Sequence, residues 1–299
     1  MFSTSRSASP TGTTGTPKSR RLPAVAALAA AAALVTGAAA PAYAAEPTPS
    51  EVAEQAARHL PPIHPDLDFA GSTVAAHEGR ASTAGIFALA ATQTPGLDVA
   101  SYQGNVNWSS VKANGARFAY VKATEGTTYT NPYFAQQYNG SYNAGLIRGA
   151  YHFALPDRSS GTAQANWFVD HGGGWSRDGK TLPPALDIEY NPYGATCFGL
   201  SQSAMVSWIR SFSNTVHTRT GRYPTIYTTT NWWSQCTGNN GGFGTTSPLW
   251  IARYASSVGT LPNGWGYQTF WQYADSGTFP GDQNLFNGAY DRLQALANG

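Results

Sequence analysis

The chain has 299 residues, 41% of them apolar and 11% charged, with many glycines and aromatics. That is enough apolar material for one large core or two smaller ones, and so little charge argues against a disordered or nucleic-acid-binding chain. The formal charge of +2 is placed unevenly, because residues 1–44 hold Arg6, Lys18, Arg20 and Arg21 and no acid.

An apolar run, Leu22 to Ala40, follows those bases, and Ala42-Tyr43-Ala44 offers a small-x-small cleavage site. Residues 1–44 therefore read as a secretory signal peptide, although the run is about long enough to span a bilayer. Arg20-Arg21 hints at twin-arginine export, while Leu22-Pro23 is a poor continuation of that signal. Removing those four positive charges leaves about −2, so the mature chain is not basic. In a secreted chain the two cysteines, Cys197 and Cys236, are expected to form one disulfide. No C-x-x-C or H-x-x-x-H occurs, and neither a metal nor a cofactor is expected.

Residues 45–94 change character, with several prolines, the stretch "HLPPIHPDLD", and six acids against two bases. Residues 51–60 could form one helix, but no pattern sustains a core. This region reads as a pro-segment or linker ahead of a catalytic region at 95–299.

From Pro95 the rhythm becomes strand, helix, strand. "GLDVA" (96–100) is a short strand, "NWSSVKANG" a short helix stopped by Gly115, and "RFAYVKAT" the next strand. Asn131-Pro132 opens a helix with Phe134, Tyr138 and Tyr142 on one face, and "IRGAYHFA" is a third strand. A helix near 162–169 precedes the strand "PPALDIEY". A long helix follows, with Met205, Trp208, Ile209, Phe212 and Val216 on one stripe and Gly221 past its end. After the strand "PTIYTTT" the helices fade, and "LWIARY", "YQTFWQYA" and 282–286 read as strands. Alternation of this kind favours a parallel α/β sheet, and about eight strands suggest a TIM-like barrel with its site at the strand C-termini.

Two motifs mislead. "GWSRDGKT" (174–181) fits the P-loop letter for letter, but it lies after a helix and before a strand, the reverse of what phosphate binding needs. "HGGG" (171–174) resembles an esterase oxyanion loop, yet no G-x-S-x-G nucleophile elbow accompanies it.

The acids carry more. Asp187 and Glu189 lie two apart in an otherwise apolar strand, so both point to one face. Burying charge is costly unless it is paired or used. Neighbouring carboxylates resist ionising together, which leaves one protonated near neutral pH, and glycoside hydrolysis uses such a pair. Asp98 on the first strand and Asp282 on the last could join them.

"GLDVASYQGNVNWSSV", "FAYVKATEGT", "RGAYHFA", "ALDIEY", "WIARY", "FWQY" and "GDQNLFNG", in this order, resemble the glycoside hydrolase family 25 lysozymes of Chalaropsis type. The resemblance implies a flattened barrel of eight strands with about five helices, (β/α)5(β)3. It also implies a secreted, extracellular N-acetylmuramidase cutting the β-1,4 bond between N-acetylmuramic acid and N-acetylglucosamine. Matched position by position, it makes Glu189 the proton donor, Asp187 its assistant, and Asp98, Asp282 and Glu125 further site acids. Tyr102, Tyr151, His152, Arg253, Trp271 and Tyr273 match positions in or near the sugar groove. The implied partner is the peptidoglycan glycan strand, with neither nucleic acid nor stable membrane association after signal removal, and a monomer is expected. A chitinase-like hydrolase, which also uses a D-x-E pair, and a non-catalytic wall-binding module are the alternatives.

Overall fold

The computed structural model describes residues 60–82 and 93–299. The expected signal peptide at 1–44 and nearly all of the possible helix at 51–60 lie outside the described residues.

Residues 94–299 form a closed barrel. Its strands are β1 (Thr94–Val99) and β2 (Phe118–Glu125), then, beyond a two-residue hairpin strand β3 (Tyr129–Thr130), β4 (Ile147–Phe153), β5 (Ala185–Asp187), β6 (Thr225–Thr228), β7 (Leu249–Ala252), β8 (Phe270–Ala274) and β9 (Asp282–Phe286). Pairing of β1 with both β2 and β9 closes the circle. Apart from β3, which pairs antiparallel with β2, the neighbours from β1 through β8 run parallel, whereas β9 is antiparallel to both β8 and β1. That direction matters, because Asp282 at the start of β9 pairs with Asp98 near the end of β1.

A short helix α1 (Val74–Glu78) lies ahead of the barrel. Five helices then follow the first five barrel strands in turn: α2 (Trp108–Ala113), α3 (Phe134–Asn143), α4 (Gly161–Asp170), α5 (Gln202–Thr220) and α6 (Thr230–Thr237). Asn107, Ser160 and Ser201 cap α2, α4 and α5, each side-chain oxygen accepting a backbone N–H three residues on. Gly221 ends α5 in the left-handed region, where glycine carries no Cβ penalty. Helix α6 was not apparent from the sequence, because Thr, Asn, Trp and Cys are middling helix formers. Tertiary contacts hold it instead: Trp232, Trp233 and Cys236 are fully buried, and Cys236 is bonded to Cys197 across 39 residues. A terminal helix α7 (Tyr290–Asn298) sends Leu293 and Ala297 against the inner barrel cluster.

Strand parity sorts the core. Phe118, Tyr120, Tyr151, Ala185, Tyr227, Trp250, Phe270 and Phe286 pack together inside the barrel. Their neighbours Leu186, Ile226, Leu249, Ile251, Trp271 and Leu285 pack outward against Phe168, Ile209, Phe212 and Trp232 of the helices. Bulges interrupt the register at Ala123, between Lys122 and Thr124, and at Tyr273, between Gln272 and Ala274. The stretch 174–181 is a turn closed on itself, with Asp178 accepting from the Lys180 amide at 2.8 Å and the Thr181 hydroxyl at 2.9 Å.

Candidate active site

The inward parity continues past the apolar layer and turns polar at the C-terminal strand ends. Above Ala185 come Asp187 and Glu189; above Gly96 comes Asp98; above Phe270 comes Gln272; above Trp250 and Ala252 comes Tyr254. Asp282 and Asn284 enter from the opposite direction on β9, so the same end of the barrel receives them. The strand "PPALDIEY" is regular only over Ala185–Asp187, but Ile188 still donates its amide to the Tyr227 carbonyl at 3.0 Å, which carries Glu189 to the same face.

Neutral amides and phenols tie this layer together. Asp98 Oδ2 accepts from Asn284 Nδ2 at 2.6 Å and from Gln272 Nε2 at 3.0 Å. Asn284 is held in turn by the Trp250 indole N–H at 2.7 Å. Gln272 Oε1 accepts from the Tyr227 hydroxyl at 2.7 Å, with the Tyr254 hydroxyl at 3.1 Å. The Tyr254 hydroxyl also lies 3.4 Å from Asp282 Oδ2. Asp187 differs: it is 1% exposed and neither carboxylate oxygen has a hydrogen-bond partner.

Burial drives the protonation of all four acids. It pushes Glu189 up to about 8, against bonds from Thr73 and Gly71 that favour the ionised form. Asp98 rises to about 7, restrained by Gln272 and Asn284. Asp187 is raised well above the usual carboxylate range by burial and then by the charge of Glu189. Asp282 is raised by burial and by Asp98. The cluster thus holds carboxyls that burial pushes towards their protonated forms, and within it the Asp187 oxygens carry no protein hydrogen bond.

Glu125 reaches this face through the Ala123 bulge. In a regular strand Lys122 and Glu125 would point to opposite faces, yet Lys122 Nζ lies 2.6 Å from Glu125 Oε2, both fully buried. Burial raises Glu125 while Lys122 opposes the shift. Tyr151 points inward, fully buried, near Asp98 and Asp187. Tyr102, 66% exposed, lies in the turn after β1 at the barrel mouth, its ring 5.6 Å from Phe69.

Three other residues expected near the groove face elsewhere, and parity is the reason. His152 follows inward Tyr151 and so points outward, stacked on Phe212, with its nitrogens on Thr124 Oγ1 at 2.8 Å and Gln164 Oε1 at 2.9 Å. Burial lowers it to about 3, so it stays neutral. Trp271, between inward Phe270 and Gln272, lies in the helix-facing core and donates to the Arg253 carbonyl at 2.9 Å. Arg253 is exposed and its guanidinium donates to the Ser257 carbonyl at 3.0 Å. Tyr273 sits at the β8 bulge, half-buried beside Trp271. Gln272 falls at a predicted strand end, whereas Tyr227, Tyr254 and Asn284 were not expected at the site from the sequence. Counting by two from Ala185, Phe270 and Asp282 would have found several of them.

A cavity of about 330 Å³ between Thr246, Trp265 and Phe286 is lined by no carboxylate and lies away from these acids. Among the described residues no group of three or more His, Cys, Asp or Glu is arranged to hold a metal ion.

The model of Glycosyl hydrolases family 25 matches residues 97–282. The chain belongs to family 25. It is 53% identical over 208 residues to Lysozyme M1 of Streptomyces globisporus, covering 68% of this chain and 71% of that one. It is 52% identical over 208 residues to the N,O-diacetylmuramidase of a Chalaropsis species, covering 68% of this chain and 99% of that one. Among solved structures, the family 25 lysozyme of Aspergillus fumigatus superposes with a TM-score of 0.69 at 51% identity, over 70% of this chain and all of the other. The family 25 match begins after residues 60–82 and includes all four inward acids.

Proposed function

We propose that this family 25 glycoside hydrolase is a secreted N-acetylmuramidase. It acts as a monomer outside the cell on the β-1,4 bond between N-acetylmuramic acid and N-acetylglucosamine in peptidoglycan. The observation that carries this reading is the pair formed by a buried, proton-retaining Glu189 and an Asp187 without hydrogen-bond partners, side by side at one strand end. Lysozyme and muramidase activities of the relatives support it.

In this reading Glu189 donates its proton to the glycosidic oxygen as the bond from that oxygen to C1 breaks. Asp187 faces the positive charge that develops on the ring; that charge favours its ionised form against the burial that raises its pKa, and its oxygens cost no protein hydrogen bond to redirect. Glu189, now ionised, takes a proton from the water that completes hydrolysis. Asp98, fixed by Gln272 and Asn284, holds the cluster's charge in place, and Tyr151, Tyr227 and Tyr254 present hydroxyls to the bound sugar.

The test is lysis of bacterial walls by Glu189→Gln and Asp187→Asn variants, with mass spectrometry of the released muropeptides. Loss of a positioned acid is expected to lower the rate by about 10²–10⁴-fold, with N-acetylmuramic acid at the new reducing ends from the unaltered chain. Wall lysis by Glu189→Gln at the original rate would overturn the assignment, as would preferential cleavage of soluble chitin.

A further inference from the structure

Residues 60–82 are packed into the mouth of the barrel, on the acids themselves. The Gly71 amide donates to Glu189 Oε1 at 2.7 Å and the Thr73 hydroxyl to Glu189 Oε2 at 2.5 Å, so both oxygens of that carboxyl are engaged. Gln272 Nε2 donates to the Ala70 carbonyl at 2.8 Å, and the Tyr254 hydroxyl to the Gly71 carbonyl at 3.2 Å. On the other side Lys122 Nζ donates to the carbonyls of Asp68 at 2.7 Å and Pro65 at 3.0 Å, while the Tyr193 hydroxyl binds Asp68. With this segment seated, Glu189 is 2% exposed.

The fit at Gly71 leaves a side chain no room unless Tyr254, Gln272 and Asp282 shift. Its φ of +97° is one that L residues rarely adopt, and a Cβ there would lie 2.3 Å from the Tyr254 hydroxyl and 2.9 Å from Asp282 Oδ2. A sugar ring and this turn cannot share that space. Further contacts hold the segment at its two flanks. His77 stacks on Tyr190 at 4.0 Å, Glu78 accepts from the Tyr190 hydroxyl at 2.8 Å, and Arg80 pairs with Asp275. The Phe69 ring lies 5.6 Å from that of Tyr102.

The strand framework of the barrel is complete without this segment. Every barrel strand lies within 94–286, the family match begins at residue 97, and two thirds of this chain spans 99% of the Chalaropsis enzyme. Ala70 and Val74 are the fully buried apolar residues that the segment adds to the barrel core.

We propose that residues 60–82 are an intramolecular inhibitor, keeping the chain latent until the turn at Gly71 is withdrawn or cut away. The proposal rests on the reading of Glu189 and Asp187 as catalytic. It also predicts binding that can be measured without catalysis.

Three preparations test it: the chain retaining residues 60–82, the chain beginning at residue 93, and the longer chain with Gly71→Val. A synthetic peptide of residues 60–82, with and without Gly71→Val, is titrated into the shorter chain by calorimetry. A short tether gives an effective concentration on the order of 1 mM, so a peptide binding at about 100 μM in trans suppresses the tethered enzyme about tenfold. Gly71→Val is expected to restore the activity of the shorter chain and to abolish peptide binding. Thermal melting checks that this variant folds, and Thr73→Val, which removes one donor to Glu189 without altering the backbone, is expected to give partial release. Equal wall lysis by the two unaltered chains, with no peptide binding, would overturn the inhibitor. If no preparation lyses walls, the muramidase reading fails. Peptide binding that is lost on Gly71→Val would then still uphold occupation of the groove, and its absence would end the proposal.

Discussion

Replacing Glu189 by Gln is expected to make the intact chain more stable while destroying its activity. Glu189 ionises near 4.5 when unfolded but at about 8 in the folded chain, because burial disfavours the carboxylate. A group whose folded pKa is raised contributes stability that is complete below its unfolded pKa and fades as pH climbs towards the folded value. At pH 7 folding must therefore return a proton to a carboxyl that is ionised in the unfolded chain. At about 1.4 kcal/mol per pH unit, this costs about 3 kcal/mol. Glutamine is neutral in both states and avoids that cost. Its amide oxygen can accept from Gly71, and its amino group can donate to a Thr73 hydroxyl turned to accept. Urea unfolding near pH 4 should give equal stability for the two chains. Near pH 7 the variant should be ahead by about 3 kcal/mol, a melting shift of roughly 2–4 °C per kcal/mol at this size. A difference that does not change with pH, or a variant less stable at pH 7, would refute burial as the source of the raised pKa.

Asn284→Leu keeps the branched shape but removes three buried bonds, those to Asp98 and the Asp282 carbonyl and the one from Trp250. We expect a stability loss of about 2–5 kcal/mol by urea titration, and a rise in the pKa of Asp98 visible in the acid limb of the pH–rate profile. Trp271→Phe separates core from groove. Because the indole faces the helices and donates to the Arg253 carbonyl, the change should cost about 1–3 kcal/mol of stability and leave KM for wall fragments unaltered.

The eight strands and the identity of the acids were legible in the sequence because their signals are local. A run such as "ALDIEY" states both its extended character and the oddity of its charges, and the helix stripe at Met205–Val216 is visible without a partner. Choosing groove residues by chemical type worked less well. His152, Arg253 and Trp271 have side chains that suit sugars, but strand parity turns them away from the acids. The amides of Gln272 and Asn284 have the opposite history. Nothing in their chemistry marks them as unusual, and only convergence of β1, β8 and β9 makes them the partners of Asp98.

Sequence by itself therefore determined the placing of two acids, Asp187 and Glu189, on one strand, the alternation that builds an α/β barrel, and the two cysteines able to cross-link. Tertiary structure decided the rest: the reversed direction of β9 that brings Asp282 beside Asp98, the bulge that joins Lys122 to Glu125, and the seat of residues 60–82. That segment has no periodicity of its own because no core of its own shapes it. Gly71 takes its conformation from the cluster of Tyr254, Gln272 and Asp282 around it, and those three residues meet only after the barrel has closed.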